Sequence, residues 1–512
     1  MFTYLLRESN YFHPQGQTKL EFAPAATIFI NTSIKDRTQI MPIFRKLTGE
    51  KDVSLPASIV AMLNTQNIHF EIPTTEATSS NMTLVPTGNR VCAVRSMLVQ
   101  DSQGKVQLLF PADAMVDLDA LLRQTGRSLE GLPVADINQI MDAEELTAIP
   151  AIPGWQGLAT IIDDSLMHKD IVWLESGAGR YLELNQSDFA NIVAKSERKQ
   201  FAVSLPNLTE DAAKDEAQIL DSVKRFTQKR IQQRLDETLE LPPLPETAQR
   251  IIRLRADPEA DISDLANIVE LDPSLAAQVV SWAASPYYSA PGNIKSVHDA
   301  IVRVLGFDMV LNLALGLSMS RSMTNAVLSK QQIANYWRGA AYTAAVVEGL
   351  VTSIPREHRP SFGMAYLSGL LNNFGYMVMA EVFPPYFNTI NRMSNANPHV
   401  PSSLVEHHLL GVTGNQIGAW LLDNWNMPSE VVTALRQQTN PHYQGEHCKY
   451  SKLLFIAENL LAKAGFGSNL GIDLPDSLYE ELHLDKETAS IAVENILESG
   501  EDLDALAEKM RG

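Results

Sequence analysis

The stretch Met364-Ala-Tyr-Leu-Ser-Gly-Leu-Leu-Asn-Asn-Phe-Gly-Tyr-Met-Val-Met379 sets two adjacent amides, Asn372 and Asn373, in an otherwise apolar run. Leu367, Leu370, Leu371 and Phe374 fall at the i, i+3, i+4, i+7 spacing of one helix face, which predicts a buried helix over residues 364–380. A helix buried all round needs other helices about it, and its two amides need partners or a ligand.

A chain of 512 residues is too long for one core, and about three or four domains are expected. At 45% hydrophobic and 20% charged residues it has ample material for packed cores. The formal net charge of −19 repels polyphosphate, so any nucleic-acid contact requires a local basic patch. Two distant cysteines, Cys92 and Cys448, exclude a disulfide framework and a cysteine-based zinc site. Arg7 and Glu8 stand where a signal peptide needs its apolar run, and no stretch reaches the ~18 apolar residues that span a bilayer. A cytoplasmic location, away from membranes, is expected.

Residues 1–50 carry no sustained periodicity and stay unassigned. Residues 51–200 read as an α/β domain: helix then strand over Ser58–Ile72, and a hairpin of Val91–Val99 with Val106–Phe110 around Asp101-Ser-Gln-Gly104. A helix over Val116–Gln124 stopped by Gly126 follows, then strands at Ala159–Asp163, Ile171–Leu174 and Tyr181–Leu184.

The order of these pieces, with Ala93-Val-Arg-Ser-Met-Leu-Val99, Phe110-Pro-Ala-Asp113, Ile149-Pro-Ala-Ile-Pro-Gly154, Ile161-Ile-Asp-Asp-Ser165 and Gly177-Ala-Gly-Arg-Tyr-Leu-Glu-Leu184, resembles the YbaK/prolyl-tRNA-synthetase editing superfamily, which deacylates mischarged tRNA. The resemblance implies an aminoacyl pocket with Arg95 at the family's lysine position and Ser96 after it; Gly154, Gly177 and Gly179 are the other implied ligand contacts. Ile149 or Pro150 stands where the family has a glycine that presents a backbone N–H, which proline lacks, and Tyr181 replaces an acidic residue. Binding of an amino acid or tRNA, with Arg95 as the one catalytic candidate, is what the resemblance implies. On the plain reading Arg95 is an exposed charge on a strand.

Residues 201–235 read as a helical linker with Lys214, Lys224, Arg225, Lys229, Arg230 and Arg234, either a solvated face with pairs such as Asp221–Arg225 or a contact for tRNA phosphate. Residues 236–463 are helical throughout, and 464–512 form an acidic helical tail. The motifs Leu241-Pro-Pro-Leu-Pro245, Leu271-Asp-Pro-Ser-Leu275, Ala283-Ala-Ser-Pro-Tyr-Tyr288, Tyr336-Trp-Arg338, Gly369-Leu-Leu-Asn-Asn-Phe-Gly375 and Leu422-Asp-Asn-Trp-Asn-Met-Pro428 are similar to the HDOD family, signalling modules related to HD phosphohydrolases.

The fold class expected is a small mixed-sheet α/β editing-like domain followed by an all-helical HD-like domain. In a metal-dependent HD hydrolase, histidines and carboxylates hold the ions that activate water. Here the corresponding positions are Gly339, Asn372, Asn373 and Gly414, and the site after Arg436 reads Gln437-Gln-Thr439. Adjacent His407 and His408 diverge by ~100° on a helix; with His442 and His447 they read as surface or capping histidines, the alternative being a ligand cluster with Glu406. No metal and no cofactor are expected. The expectation is a regulatory protein whose degenerate helical domain binds a protein partner, with Trp282, Tyr287 and Tyr288 as a candidate surface or as core. The alternative is a trans-editing aminoacyl-tRNA deacylase.

Overall fold

The computed structural model describes residues 59, 70–71, 90–144, 146–177, 181–206, 208, 211–232, 243–288, 292–320, 328–466 and 471–510. The segment 1–50, most of the Ser58–Ile72 helix–strand reading, Gly179 and Arg234 lie outside the described residues.

Strands β1 (Val91–Asp101) and β2 (Gly104–Pro111) form the expected antiparallel hairpin, with Asp101 opposite Gly104. Then come β3 (Ala114–Val116), α1 (Leu118–Thr125), β4 (Glu130–Gly131), α2 (Val134–Ala143), β5 (Ala159–Asp163), β6 (Ile171–Glu175), β7 (Tyr181–Asn185), α3 (Gln186–Ile192), β8 (Glu197–Lys199) and β9 (Ala202–Ser204). The sheet runs β7-β6-β1-β2-β5-β8 with β4 beside β1, while β3 pairs with β9. It is mixed: β1–β2 and β6–β7 are antiparallel, whereas β1–β6, β2–β5 and β5–β8 are parallel. Helix α1 begins where the Asp117 carboxylate accepts the N–H groups of Asp119 and Ala120, and it ends at Gly126 in the left-handed region.

The helical part comprises α4 (Asp215–Gln232), α5 (Glu246–Arg255), α6 (Ile262–Glu270), α7 (Pro273–Ala283), α8 (Val297–Ala300), α9 (Phe307–Ser320), α10 (Lys330–Ser353), α11 (Phe362–Leu370) and α12 (Phe374–Val382). It continues with α13 (Pro384–Ala396), α14 (Ser402–Leu410), α15 (Gly414–Asn424), α16 (Ser429–Gln437), α17 (Cys448–Lys463), α18 (Asp476–Glu480), α19 (Lys486–Glu498) and α20 (Gly500–Met510).

Three expectations are corrected here. The run 364–380 is two helices, α11 and α12, and the chain turns between them at Leu371–Asn373, where the Phe374 N–H donates to the Leu371 carbonyl at 2.8 Å. Apolar periodicity carries across a one-turn break, so the pattern could not reveal it. The segment read as a linker is divided between the two modules. Ala202–Ser204 is a strand on β3, and α4 buries Ile219 and Phe226 in the helical core. Asp215 anchors α4, accepting from Gln416 Nε2 at 2.9 Å and from the Arg436 guanidinium. The tail is also core-bound: Leu474, Leu482, Val493 and Leu503 join the helical cluster, and Arg338 pairs with Asp504 at 2.6 Å.

The two modules meet along a seam made by α13 and the turn before α14. The Asn397 side chain behaves as a strand partner: Oδ1 accepts the Val116 N–H at 2.6 Å and Nδ2 donates to the Val116 carbonyl at 3.0 Å. His399 Nε2 lies 3.0 Å from the Ala114 carbonyl, and Met115 packs with Met393, Val400 and Val405.

Inside the helical module, α12 and α15 touch backbone to backbone. A Cβ at Gly375 would stand 2.1 Å from the Gly414 carbonyl oxygen, and one at Gly418 would meet the Gly375 Cα at 2.9 Å. By contrast, a Cβ at Gly339 meets nothing closer than Asn373 Nδ2 at 3.7 Å. Gly375→Ala should therefore destabilise the protein by about 1–3 kcal/mol or more through overpacking. Gly339→Ala, inside a helix with room to spare, should be neutral or stabilising by up to ~1 kcal/mol. Denaturant midpoints of the two variants check the contrast.

Candidate functional site

Two places deserve the name of site, one in each module. In the helical module the turn between α11 and α12 delivers Asn372 into the interior and leaves Asn373 exposed. The buried Asn372 Nδ2 donates to Glu458 Oε1 at 2.9 Å, with Thr343 Oγ1 at 3.4 Å, and its backbone carbonyl accepts from Gln438 Nε2 at 2.9 Å. Gln438 Nε2 also reaches Asn415 Oδ1 at 2.7 Å, and Asn415 Nδ2 lies 3.4 Å from Thr439 Oγ1. Gly339 sits against Asn373, and the Gly414 N–H donates to Glu406 Oε2 at 2.6 Å. Asn372, Gln438, Asn415 and Thr439 thus form a network of amides and a hydroxyl that ends on the Glu458 carboxyl. Among the described residues no group of three or more His, Cys, Asp or Glu is placed to hold a metal ion.

Glu458 is the acid that sequence reasoning missed. It stands 86 residues from Asn372, on α17, and only packing of α17 against α10 and α11 brings it in. Burial raises its carboxyl to about 7, while the amide of Asn372 opposes that shift. Glu406 is likewise raised by burial, and His407 is lowered by burial and by its neighbour His408. An acid holding its proton near neutrality, among amides, offers hydrogen bonds rather than a charged cation cage.

The second place is the sheet of the first module. Successive strand residues point to opposite faces, so Arg95 and Ser96 part company. Ser96 Oγ accepts from Gln107 Nε2 at 3.0 Å, the same Nε2 donates to the Pro150 carbonyl at 2.9 Å, and Thr160 Oγ1 donates to Gln107 Oε1 at 3.0 Å. The Gly154 N–H closes this chain on Thr160 Oγ1 at 2.9 Å. Ser96 and Gly154 are therefore joined in one buried structural network, and the Gly154 N–H is already engaged. Gly177, with φ +80°, donates its N–H to Glu175 Oε1 at 3.2 Å, and a Cβ there would meet Pro150 Cγ at 2.7 Å, so its role is close packing of that loop.

Arg95 is opposite Phe110 in the hairpin register and shares a face with Trp173, Glu175 and Tyr181. Its Nε is buried and makes no hydrogen bond. Across that face, from the seam, comes His399, whose ring lies 5.4 Å from that of Phe110. Burial, followed by the nearby Arg95 charge, holds the His399 imidazole down to about 3, so it stays neutral. Burial pushes the Tyr181 phenol up, the Glu175 carboxylate adds to this, and Arg95 opposes it.

Of the candidate partner surface, Trp282 belongs to the core. Trp282 is 2% exposed, and its Nε1 donates to the Tyr288 hydroxyl at 3.1 Å. Tyr287 and Tyr288 stack edge to face at 5.0 Å and pack against the helical core. Both tyrosines are half-buried at the edge of that core, with Glu348 raised to about 7 by burial beside them. No described helix is long and apolar enough to cross a membrane.

Comparison with known proteins agrees with the helical architecture: residues 241–441 match the HDOD domain, which makes this module an HDOD domain. The chain belongs to the same family as a protein of Marinobacter aquaeolei VT8 whose crystal structure is described as that of a "putative signal transduction protein"; the two are 39% identical, with 90% of this chain and 100% of that one covered and a TM-score of 0.74. An uncharacterized protein of Treponema pallidum (strain Nichols) is 23% identical over 213 residues, 41% of this chain and 40% of that relative's length. A structure described as a "putative trans-editing enzyme for prolyl tRNA synthetase" is 17% identical, with 30% of this chain and 100% of that one covered and a TM-score of 0.24, too low to carry a relation.

The raised Glu458 carboxyl fixes the sign of one pH effect. The folded chain keeps this proton up to about pH 7, whereas an ordinary glutamate releases it near 4.5, so folding stability falls as pH rises between those values and levels off above them. Glu458→Gln should remove that slope and gain on the order of 1–2 kcal/mol over wild type at pH 8 relative to pH 4. Urea unfolding of both proteins across that range measures it.

Proposed function

We propose that the chain is a regulatory protein of signal transduction, in which the HDOD module binds a protein partner without hydrolysing phosphoesters and the α/β module binds an amino acid or aminoacyl ligand. The observation that carries the first half is the amide network: where an HD hydrolase has metal ligands, Asn372 is bonded to Glu458 and Gln438, and Gly339 and Gly414 offer no side chain at all. Neutral amides hold divalent ions far more weakly than carboxylates and imidazoles. The relative in Marinobacter, described in terms of signal transduction, supports the regulatory reading.

Support for the second half comes from Arg95, a cation with an unpartnered buried N–H on a strand face. A guanidinium attracts a carboxylate or phosphate. Hydrolysis is disfavoured because His399, held neutral at about 3, is a poor proton acceptor and the Gly154 N–H is engaged by Thr160. Losing one oxyanion donor already costs about 10²–10³ in rate.

The purified full chain should retain no stoichiometric Mn, Fe or Zn after dialysis and leave cyclic dinucleotides intact. Metal bound one per chain and lost on Asn373→Ala would overturn the reading of the helical module. Mischarged Ala-, Pro-, Cys- and Ser-tRNAs should release amino acid at the uncatalysed rate. Fast release by wild type, abolished in Arg95→Ala, would instead establish the deacylase.

A further inference from the structure

The Arg95 face belongs to one module and the group that confronts it belongs to the other. Two buried polar atoms there lack partners: Arg95 Nε, a donor on a permanent cation, and His399 Nδ1. The tautomer of His399 follows from its other nitrogen. Nε2, 3.0 Å from the Ala114 carbonyl, must carry the proton to donate, and this leaves Nδ1 as a lone-pair acceptor. His399 is 8% exposed, so water does not readily satisfy that acceptor.

The two atoms are held on one side of the sheet by rigid parts. Arg95 stands opposite Phe110 on β1 and β2, and Phe110 contacts the His399 ring. The turn carrying His399 is pinned by Asn397, which makes both backbone hydrogen bonds of Val116. Glu175 and Tyr181 share the same face. A buried cationic donor beside a neutral acceptor matches a small molecule with an anionic oxygen and an adjacent N–H donor. A free α-amino acid is the smallest common molecule with both: its carboxylate suits the guanidinium, and its ammonium suits a lone pair with a carboxylate nearby.

We propose that Arg95 and His399 form a binding site for a free α-amino acid that is shared by the α/β and HDOD modules, with Arg95 taking the carboxylate and His399 Nδ1 the amine. This rests on the ligand-binding reading of the α/β module and deepens it by making the helical module part of the site. Because Asn397 and His399 also hold the seam, the ligand touches both modules at the place where they are joined. Occupancy and docking of the modules are thereby linked.

Isothermal titration of the full chain with each of the twenty free L-amino acids tests the site, together with each binder's amide, which lacks the carboxylate, and its des-amino acid, which lacks the amine. At least one amino acid is expected to bind, both analogues to bind about tenfold more weakly or worse, and Arg95→Gln and His399→Phe each to weaken binding by a similar factor. The phenylalanine keeps a ring against Phe110. Should that variant prove unstable on heating, the wild-type ratio between amino acid and des-amino acid, with Arg95→Gln, decides the matter. No binding by any of the twenty, a des-amino acid that binds as well as its parent, or unchanged binding in Arg95→Gln overturns the proposal. Such a failure is distinct from failure of the non-hydrolytic reading, which the metal and phosphodiester measurements decide separately.

Discussion

The contact between α12 and α15 governs the geometry of the helical module. With Gly375 lying against Gly414 and Gly418, the two helices approach at backbone distance, closer than any pair bearing side chains there could come. This approach holds the turn before α12 in place and so points Asn372 inward, toward α10, α16 and α17. Glu458, Thr343 and Gln438 then meet it from three different elements. Removing one partner from such a network leaves buried polar groups unsatisfied at a cost of about 1–3 kcal/mol each. The same glycines that bring α12 against α15 thus fix what surrounds Asn372.

A centre of amides differs in kind from a centre of metal ligands. A site built from histidine and aspartate concentrates charge and needs a cation to neutralise it. One built from asparagine, glutamine and threonine, with an acid that keeps its proton near neutrality, is satisfied by its own hydrogen bonds. Its products are packing and orientation.

The α/β module contributes a different asymmetry. One face of its sheet is closed by the Ser96, Gln107, Thr160 and Gly154 chain, whereas the other carries Arg95 and is met by the HDOD module at His399. The seam is made of side chains acting as backbone partners and of shared apolar contacts, so the two modules are packed together rather than strung on a linker. The helices read as linker and tail have the same character, since each buries apolar residues in the helical core.

Local pattern by itself determined most of the elements. The β1–β2 hairpin, β5, the Gly126 end of α1, and α16 all follow from alternation and turn signals, because these are set by neighbours in the chain. The sequence also determined that Gly339, Asn372, Asn373 and Gly414 carry no imidazole or carboxylate, whatever the fold. Only the tertiary structure decided that the central run is two helices, that Trp282 is interior, and that Glu458 meets Asn372 and His399 meets the Arg95 face from 86 and about 300 residues away. The physical reason is the same in each case. Periodicity reports that a residue has a buried face, but what lies against that face is chosen by close approach of distant helices and by the matching of donors to acceptors across them.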